Sequence, residues 1–304
     1  MTGQPQVKSG RVAAAPQTRP AVGIALAILA VLLFTLMDTI GKSLTATYPV
    51  VQVVWARYFF SLLALGALLP ARGVVELVRT RRLGVQTGRG ALVAVATLCM
   101  ISAISVVPLA DAYAITFTAP LMVTLFSIPL LGERVRWRRW TAILVGFSGV
   151  LVVIRPGFAE VHPAMLLLIV TAACFALYQI LTRQVSRVPG ESTFAMLFYL
   201  SLVGAVAFTI AAPFFWRTVV PFDWVWLVAM GILGALGHLP LIRALTLAPA
   251  SLVAPFAYSQ IIWALALGWL IFGDLPDGWM LAGCAVIIGS GLYVFYREAL
   301  LGKS

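Results

Sequence analysis

The sequence predicts an all-α integral membrane protein of ten transmembrane helices, arranged as two inverted five-helix repeats around a central cavity. Three observations carry this prediction: an apolar composition, cations confined to the connections, and an internal match at one fixed offset. The chain has 304 residues, 62% of them apolar and only 10% charged, with a mean hydropathy of +1.03. Soluble domains carry roughly 25% charged residues. A chain so poor in charge has more apolar surface than water can cover, so its natural solvent is lipid.

An α-helix needs about 20 predominantly apolar residues to cross the hydrocarbon core. Apolar runs between charged or Pro/Gly-rich breaks place spans at 21–45, 49–70, 90–107, 110–131, 137–154, 163–183, 193–214, 224–245, 250–272 and 277–296. The first follows a tail, residues 1–20, whose Gln, Pro, Gly and Ser content predicts disorder. The run after it is long and lacks a small-residue cleavage site, so it reads as a retained span and not a signal. The links Val107-Pro108-Leu109 and Ala248-Pro249-Ala250 are short enough to make spans three and four, and eight and nine, antiparallel hairpins. The protein has nine Trp, many near span ends, where amphipathic rings favour the headgroup layer.

The formal charge of +11 does not point to nucleic acid, because the cations sit in short connections. Seventeen of the 21 Lys and Arg lie in the tail, alternate connections and the C-terminus; Lys42, Arg155 and Arg217 lie opposite, and Arg57 lies inside span two. Positive residues stay on the cytoplasmic side, so both termini are predicted cytoplasmic in a bacterial inner membrane. Cys99, Cys174 and Cys284 each lie in an apolar stretch without metal-ligand spacing and read as small buried hydrophobes. No metal or cofactor is expected.

Adding 141 to a position in the first half lands on a related residue in the second. Phe34 meets Phe175, Lys42 meets Arg183, Tyr58 meets Tyr199, Gly90 meets Gly231, Pro108 meets Pro249, Gly132 meets Gly273 and Glu133 meets Asp274. The rare Pro, Gly and charged matches make chance a poor explanation. The repeats are 21–155 and 162–297. Each holds five spans, an odd number, so the second starts on the opposite face and is inverted. Secondary transporters use this architecture, with a midplane site between repeats.

The stretches Leu109-Ala110-Asp111-Ala112 to Thr118-Ala119-Pro120-Leu121, Leu131-Gly132-Glu133-Arg134-Val135 and Gly146-Phe147-Ser148-Gly149-Val150 have counterparts at Leu247 to Phe256, Leu267-Gly268-Trp269 and Phe272-Gly273-Asp274. With these motifs the chain resembles the EamA family of the drug/metabolite transporter superfamily, from the end of the tail onward. The resemblance implies a central cavity lined by spans one, three, four, six, eight and nine. Within the family the chain looks most like YddG-type exporters of aromatic and other amino acids. Related members imply nucleotide-derived, cofactor or drug-like cargo as alternatives.

Ionisable groups inside a span cost a few kcal/mol and face a cavity or a partner. Asp38 and Lys42 lie four apart, on one face of span one. Arg57 lies at similar depth on span two. Asp38 pairs with either Arg57 or Lys42 on this reading. The trio offers both charge signs to a zwitterion, and equally suits a structural ion pair locking spans one and two. The second-half equivalent of Asp38 is Gln179, beside Tyr178. Tyr113, Thr116, Phe117 and Pro120 share a face of span four, and Phe256, Gln260 and Trp263, with Tyr258 nearby, share one of span nine. Aromatic walls with a few polar groups suit an amphipathic solute, and such a stripe also suits plain helix packing. The candidate substrate-binding set is therefore Asp38, Lys42, Arg57, Tyr113, Phe117, Tyr178, Gln179, Tyr258, Gln260 and Trp263. His238 reads as a packing histidine.

No nucleophile with a base, paired acids, metal cluster or Gly-rich phosphate loop appears, which excludes an enzyme or a self-contained ATP-driven pump. The expectation is a monomer in the bilayer that exports a small amphipathic metabolite by alternating access and has no nucleic-acid partner. A channel-like facilitator is the alternative.

Overall fold

In lipid no water is present to satisfy backbone N–H and C=O groups, so each apolar run must bond to itself as a helix. A computed structural model of the chain describes residues 20–67, 78–131, 137–155, 162–186, 188, 191–247 and 254–301. Residues 1–19 of the predicted disordered tail, Glu133 and the eighth-to-ninth link lie outside the described residues, and Pro20, the last residue of that tail, already begins α1.

All regular structure among the described residues is helical. The helices are α1 (Pro20–Thr45), α2 (Val50–Ala67), α3 (Leu83–Ile104), α4 (Leu109–Thr116), α5 (Ala119–Leu131), α6 (Trp137–Ile154), α7 (Ala164–Ser186), α8 (Thr193–Ala211), α9 (Asp223–Leu247), α10 (Ser259–Leu267) and α11 (Gly278–Leu301). Among the described residues seven helical stretches are long and apolar enough to cross a membrane; Ile143–Ile154, Phe256–Phe272 and Gly278–Tyr293 are shorter apolar helices.

Two predicted spans are broken, for local reasons. Pro120 has no N–H to give the Thr116 carbonyl, and here the helix breaks, whereas α5 and α9 run on through Pro129 and Pro240. α4 stops, Thr118 N–H bonds back to Ile115 O at 3.1 Å, and α5 restarts when Leu121 and Met122 N–H bond to Thr118 O at 2.9 and 3.0 Å. In the ninth span a 3₁₀ turn (Ala254–Tyr258) precedes α10 and a π turn (Gly268–Phe272) follows it. Gly273 then ends the helix at φ +73°, a left-handed conformation that glycine adopts without penalty. A third difference is a boundary: the sequence places the start of span three at 90, whereas α3 begins at Leu83. Gln86 and Arg89 find polar partners inside the bundle, which lets the helix carry them inward.

The packing repeats itself when the halves are exchanged. α1 lies along α9 as α7 lies along α3; α2 packs on α9 as α8 packs on α3; α6 pairs with α11 and α2 with α8. Glycines set the closest approaches. A Cβ on Gly231 would stand 2.3 Å from Phe60 Cβ, and one on the equivalent Gly90 would stand 2.7 Å from Val203 Cβ. At the α6–α11 contact, Gly149 and Gly283 each face the other's carbonyl, and added Cβ atoms would lie 3.0 and 2.8 Å from it. Small residues that let backbones meet are how helices associate without a hydrophobic drive between them.

The far ends of α6 and α11 are tied by charge. Arg155 closes α6 at φ 50°, an unfavourable conformation for a side-chain-bearing residue. Its guanidinium pairs with Asp277. Asp277 also accepts from Met280 N–H at 2.7 Å, capping α11. That N–H is the largest influence, and with Arg155 it holds the Asp277 carboxyl below the usual carboxylate range against an opposing push from burial.

Gly231→Leu should lower the melting temperature in detergent by several degrees, since overpacking costs about 1–3 kcal/mol. Gly289→Ala, where nothing lies within 4 Å of the added carbon, should leave it unchanged or raise it. Asp277→Ala should destabilise at pH 7. Because the folded pKa of Asp277 is depressed, its contribution persists above the ordinary carboxylate range and fades only as pH falls through the lowered value. The difference between wild-type and variant melting temperatures should therefore shrink only in acid.

Candidate functional site

Asp38 sits two turns before the end of α1 and is 6% exposed. A carboxylate so placed in an apolar bundle needs a donor. Tyr113 of α4 supplies one: its hydroxyl donates to Asp38 Oδ2 at 2.6 Å. Thr35 and Gln260 also lie against the Tyr113 hydroxyl, so α1, α4 and α10 converge here. The other carboxylate oxygen, Asp38 Oδ1, is buried with no hydrogen-bond partner, and so is Trp263 Nε1 on α10. Asp38 on α1 keeps a strong acceptor unused and Trp263 on α10 a donor. Buried polar atoms are rarely left so.

Arg57 of α2 is within electrostatic range of Asp38, but the two form no ion pair. Its guanidinium stacks over the Tyr58 ring at 5.6 Å and borders a cleft between α2, α8 and α9 with Ser61, Ser201 and His238. His238 lies edge-on to Phe34 of α1, ring centroids 5.0 Å apart.

Lys42 does not pair with Asp38. Its ammonium pairs with Asp274 Oδ2 at 3.0 Å and donates to Val107 O at 3.0 Å, with the Phe272 ring 4.8 Å below. Neither partner foreseen for Asp38 is therefore its hydrogen-bonding partner. The reason is geometric: Asp274 is brought over the end of α1 by the π turn and Gly273, and a direct carboxylate contact outcompetes a neighbour one turn away.

At the opposite end of α3, Arg89 is 2% exposed. Its Nε donates to Thr182 Oγ1 at 2.9 Å, its Nη1 donates to Gln86 Oε1, and its guanidinium lies over Tyr178, 5.1 Å from the ring centre. Gln86 Nε2 donates onward to Glu191 at 3.1 Å, which also accepts from Thr80 and Arg81 N–H. Burial pushes the Glu191 carboxyl up, but these three donors together hold it below its ordinary value. Tyr178 thus belongs to this network. Gln179 is exposed. Phe117 and Tyr258 meet ring to ring at 5.0 Å, and the Tyr258 hydroxyl fills the space over Gly291, so Tyr258 is wedged toward α11.

Of the ten candidates, Asp38, Tyr113, Gln260 and Trp263 lie on the three converging helices, with Arg57 in electrostatic reach. Lys42, Tyr178 and Tyr258 serve contacts of their own. Arg89 escaped notice because a cation before an apolar run looks like a loop residue; its signal was Gln86 three positions earlier, a polar pair on one helical face. In the sequence Asp274 stands only as the counterpart of Glu133, and nothing there shows its pairing with Lys42. No cluster of three His, Cys, Asp or Glu able to hold a metal occurs among the described residues.

Comparison with known proteins fits a transporter. The model of the EamA-like transporter family matches residues 21–155 and again 162–296. An S-adenosylmethionine uptake transporter of Rickettsia bellii is 29% identical over 91% of this chain and 94% of its own. A pseudopaline exporter of Pseudomonas aeruginosa is 30% identical over 88% of this chain and 93% of its own. A riboflavin transporter of Vibrio cholerae is 26% identical over 92% and 94%. A solved crystal structure shares the fold at a TM-score of 0.62 and 22% identity, covering 93% of this chain and 98% of that one. None of these three relatives is named as an amino-acid exporter. This chain is a multi-pass membrane protein and belongs to the EamA-like transporter family.

Proposed function

We propose that this protein is a ten-span secondary transporter of a bacterial inner membrane that moves small amphipathic metabolites carrying a cationic group. The observation that carries the reading is Asp38: a buried carboxylate with one oxygen held by Tyr113 and the other unused. A carboxylate in that setting is a receptor for an ammonium or sulfonium. Trp263 and Gln260 add an aromatic wall and polar contacts beside it, and Arg57 offers a cation for a carboxylate or comparable anion on the same cargo. Phe117, Tyr178, Gln179 and Tyr258 form the outer boundary of the cavity.

Three shorter apolar helices beside seven longer ones support ten crossings, and the exchange-symmetric packing supports two inverted halves, 21–155 and 162–297. Cations concentrated on alternate connections support cytoplasmic termini, which puts the Lys42 end in the periplasm. Among the relatives' cargoes, S-adenosylmethionine is an amino acid with a sulfonium, the chemistry this centre fits. Aromatic and other amino acids fit it as well, so export of amino acids remains within this reading.

Proteoliposomes should take up a member of a labelled panel of S-adenosylmethionine, aromatic amino acids and riboflavin, with saturation and counterflow. A linear, non-saturating flux would instead mark a facilitating pore. Asp38→Asn should raise KM for a cationic cargo roughly ten- to hundredfold, the loss of one charged hydrogen bond, while Tyr113→Phe should cost less. Unaltered KM in correctly folded Asp38→Asn protein removes Asp38 from the site.

A further inference from the structure

The ammonium of Lys42 does not serve the cargo centre, and what it does instead is specific. It joins three separate pieces of chain: α1 through Lys42 itself, the α3–α4 turn through the Val107 carbonyl, and the end of the ninth span through Asp274. The side chains of Lys42 and Asp274 are only 13% and 29% exposed, so the pair is shielded from water more than a surface ion pair is. The Phe272 ring underneath closes the apolar side. Lys42 is one turn beyond Asp38 on the same face of α1, so this junction lies directly over the Asp38–Tyr113 contact.

Around it two cations and three carboxylates gather in one group. Asp111, in the first turn of α4, lies within electrostatic reach of Lys42, Asp274, Arg155 and Asp277, and Arg155 binds Asp277 beside it. Helix contacts agree: α10 packs against both α1 and α4. The sequence also keeps opposite charges at the two equivalent positions of the other half, Arg183 and Glu133.

We propose that the Lys42–Asp274 pair is the latch that shuts the Asp38 centre from the outer face, and that breaking it opens that face. The pair is a conformational lock built from both halves of the chain: its cation comes from the first span and its anion from the ninth. Either half can move relative to the other only by parting them. The opening direction rests on the transporter reading above, whereas the shutting does not depend on any cargo.

The test needs no substrate. In a chain with Cys99, Cys174 and Cys284 replaced by Ala, Thr116→Cys places a reporter one turn beyond Tyr113, beneath the latch. A membrane-impermeant maleimide is supplied from the Lys42 side of oriented vesicles. Lys42→Met and the isosteric Asp274→Asn should each speed labelling roughly tenfold, the population shift expected from losing about 1.4 kcal/mol of a charged hydrogen bond. The exchanged pair, Lys42→Asp with Asp274→Lys, should restore protection. Its elution as a monodisperse peak, together with that of Asp274→Asn, separates opening from unfolding. Labelling unchanged by either single variant, or equally fast in the exchanged pair, overturns the latch. Absence of transport with any cargo panel, alongside a labelling pattern as expected, would instead count against the transporter reading alone.

Discussion

A carboxylate buried in an apolar bundle is the constraint around which the centre of this molecule is organised. Insertion of such a group costs a few kcal/mol, and one hydrogen bond from Tyr113 does not saturate an anion able to accept about four. To deliver even that bond, α4 must stand beside α1 at this depth. The break at Phe117–Thr118 frees the first part of the fourth span to do so without dragging α5 along. α10, bounded by a 3₁₀ turn on one side and a π turn on the other, brings Gln260 and Trp263 to the same point. The irregular backbone in both cases lies where protein surrounds it, the circumstance in which a membrane tolerates it.

Around that chemically one-sided centre the scaffold is nearly symmetric. Gly90 and Gly231 each let a helix of one half touch the second helix of the other, and the Gly149–Gly283 contact joins the last helices of the two halves. Symmetry ends at the polar residues. Asp38 is buried and hydrogen-bonded, whereas its equivalent Gln179 is exposed, and Ala254 stands where the offset from Tyr113 leads. Duplication preserved the shape of the contacts while the two halves took on different chemistry.

Much of this was legible in the sequence, because the bilayer reduces the choice of structure to helices and hydropathy marks them. The 141-residue offset identified the paired glycines before any coordinates. What the sequence did not reveal is which polar side chains meet. Asp38 and Lys42 share a face at ideal helical spacing, yet their partners, Tyr113 and Asp274, lie 75 and 232 residues away. Local periodicity cannot rank a neighbour against a distant residue that a turn delivers. Arg89 illustrates the same limit: a cation at the edge of an apolar run is assigned to water unless one knows that Gln86 and Thr182 will receive it.

The π turn at Gly268–Phe272 has a consequence for how this chain can vary. Such a turn holds one residue more than an α turn, and Asp274 N–H bonds back to Gly268 O across it at 3.1 Å. Removing one residue there would restore ordinary helical pitch and swing every later position by about 100°, carrying the carboxylate of Asp274 off Lys42. Substitutions in this stretch alter only what the side chains touch, but a change of length alters where the charge points. In this segment the number of residues, as well as their identity, decides whether Lys42 keeps its partner.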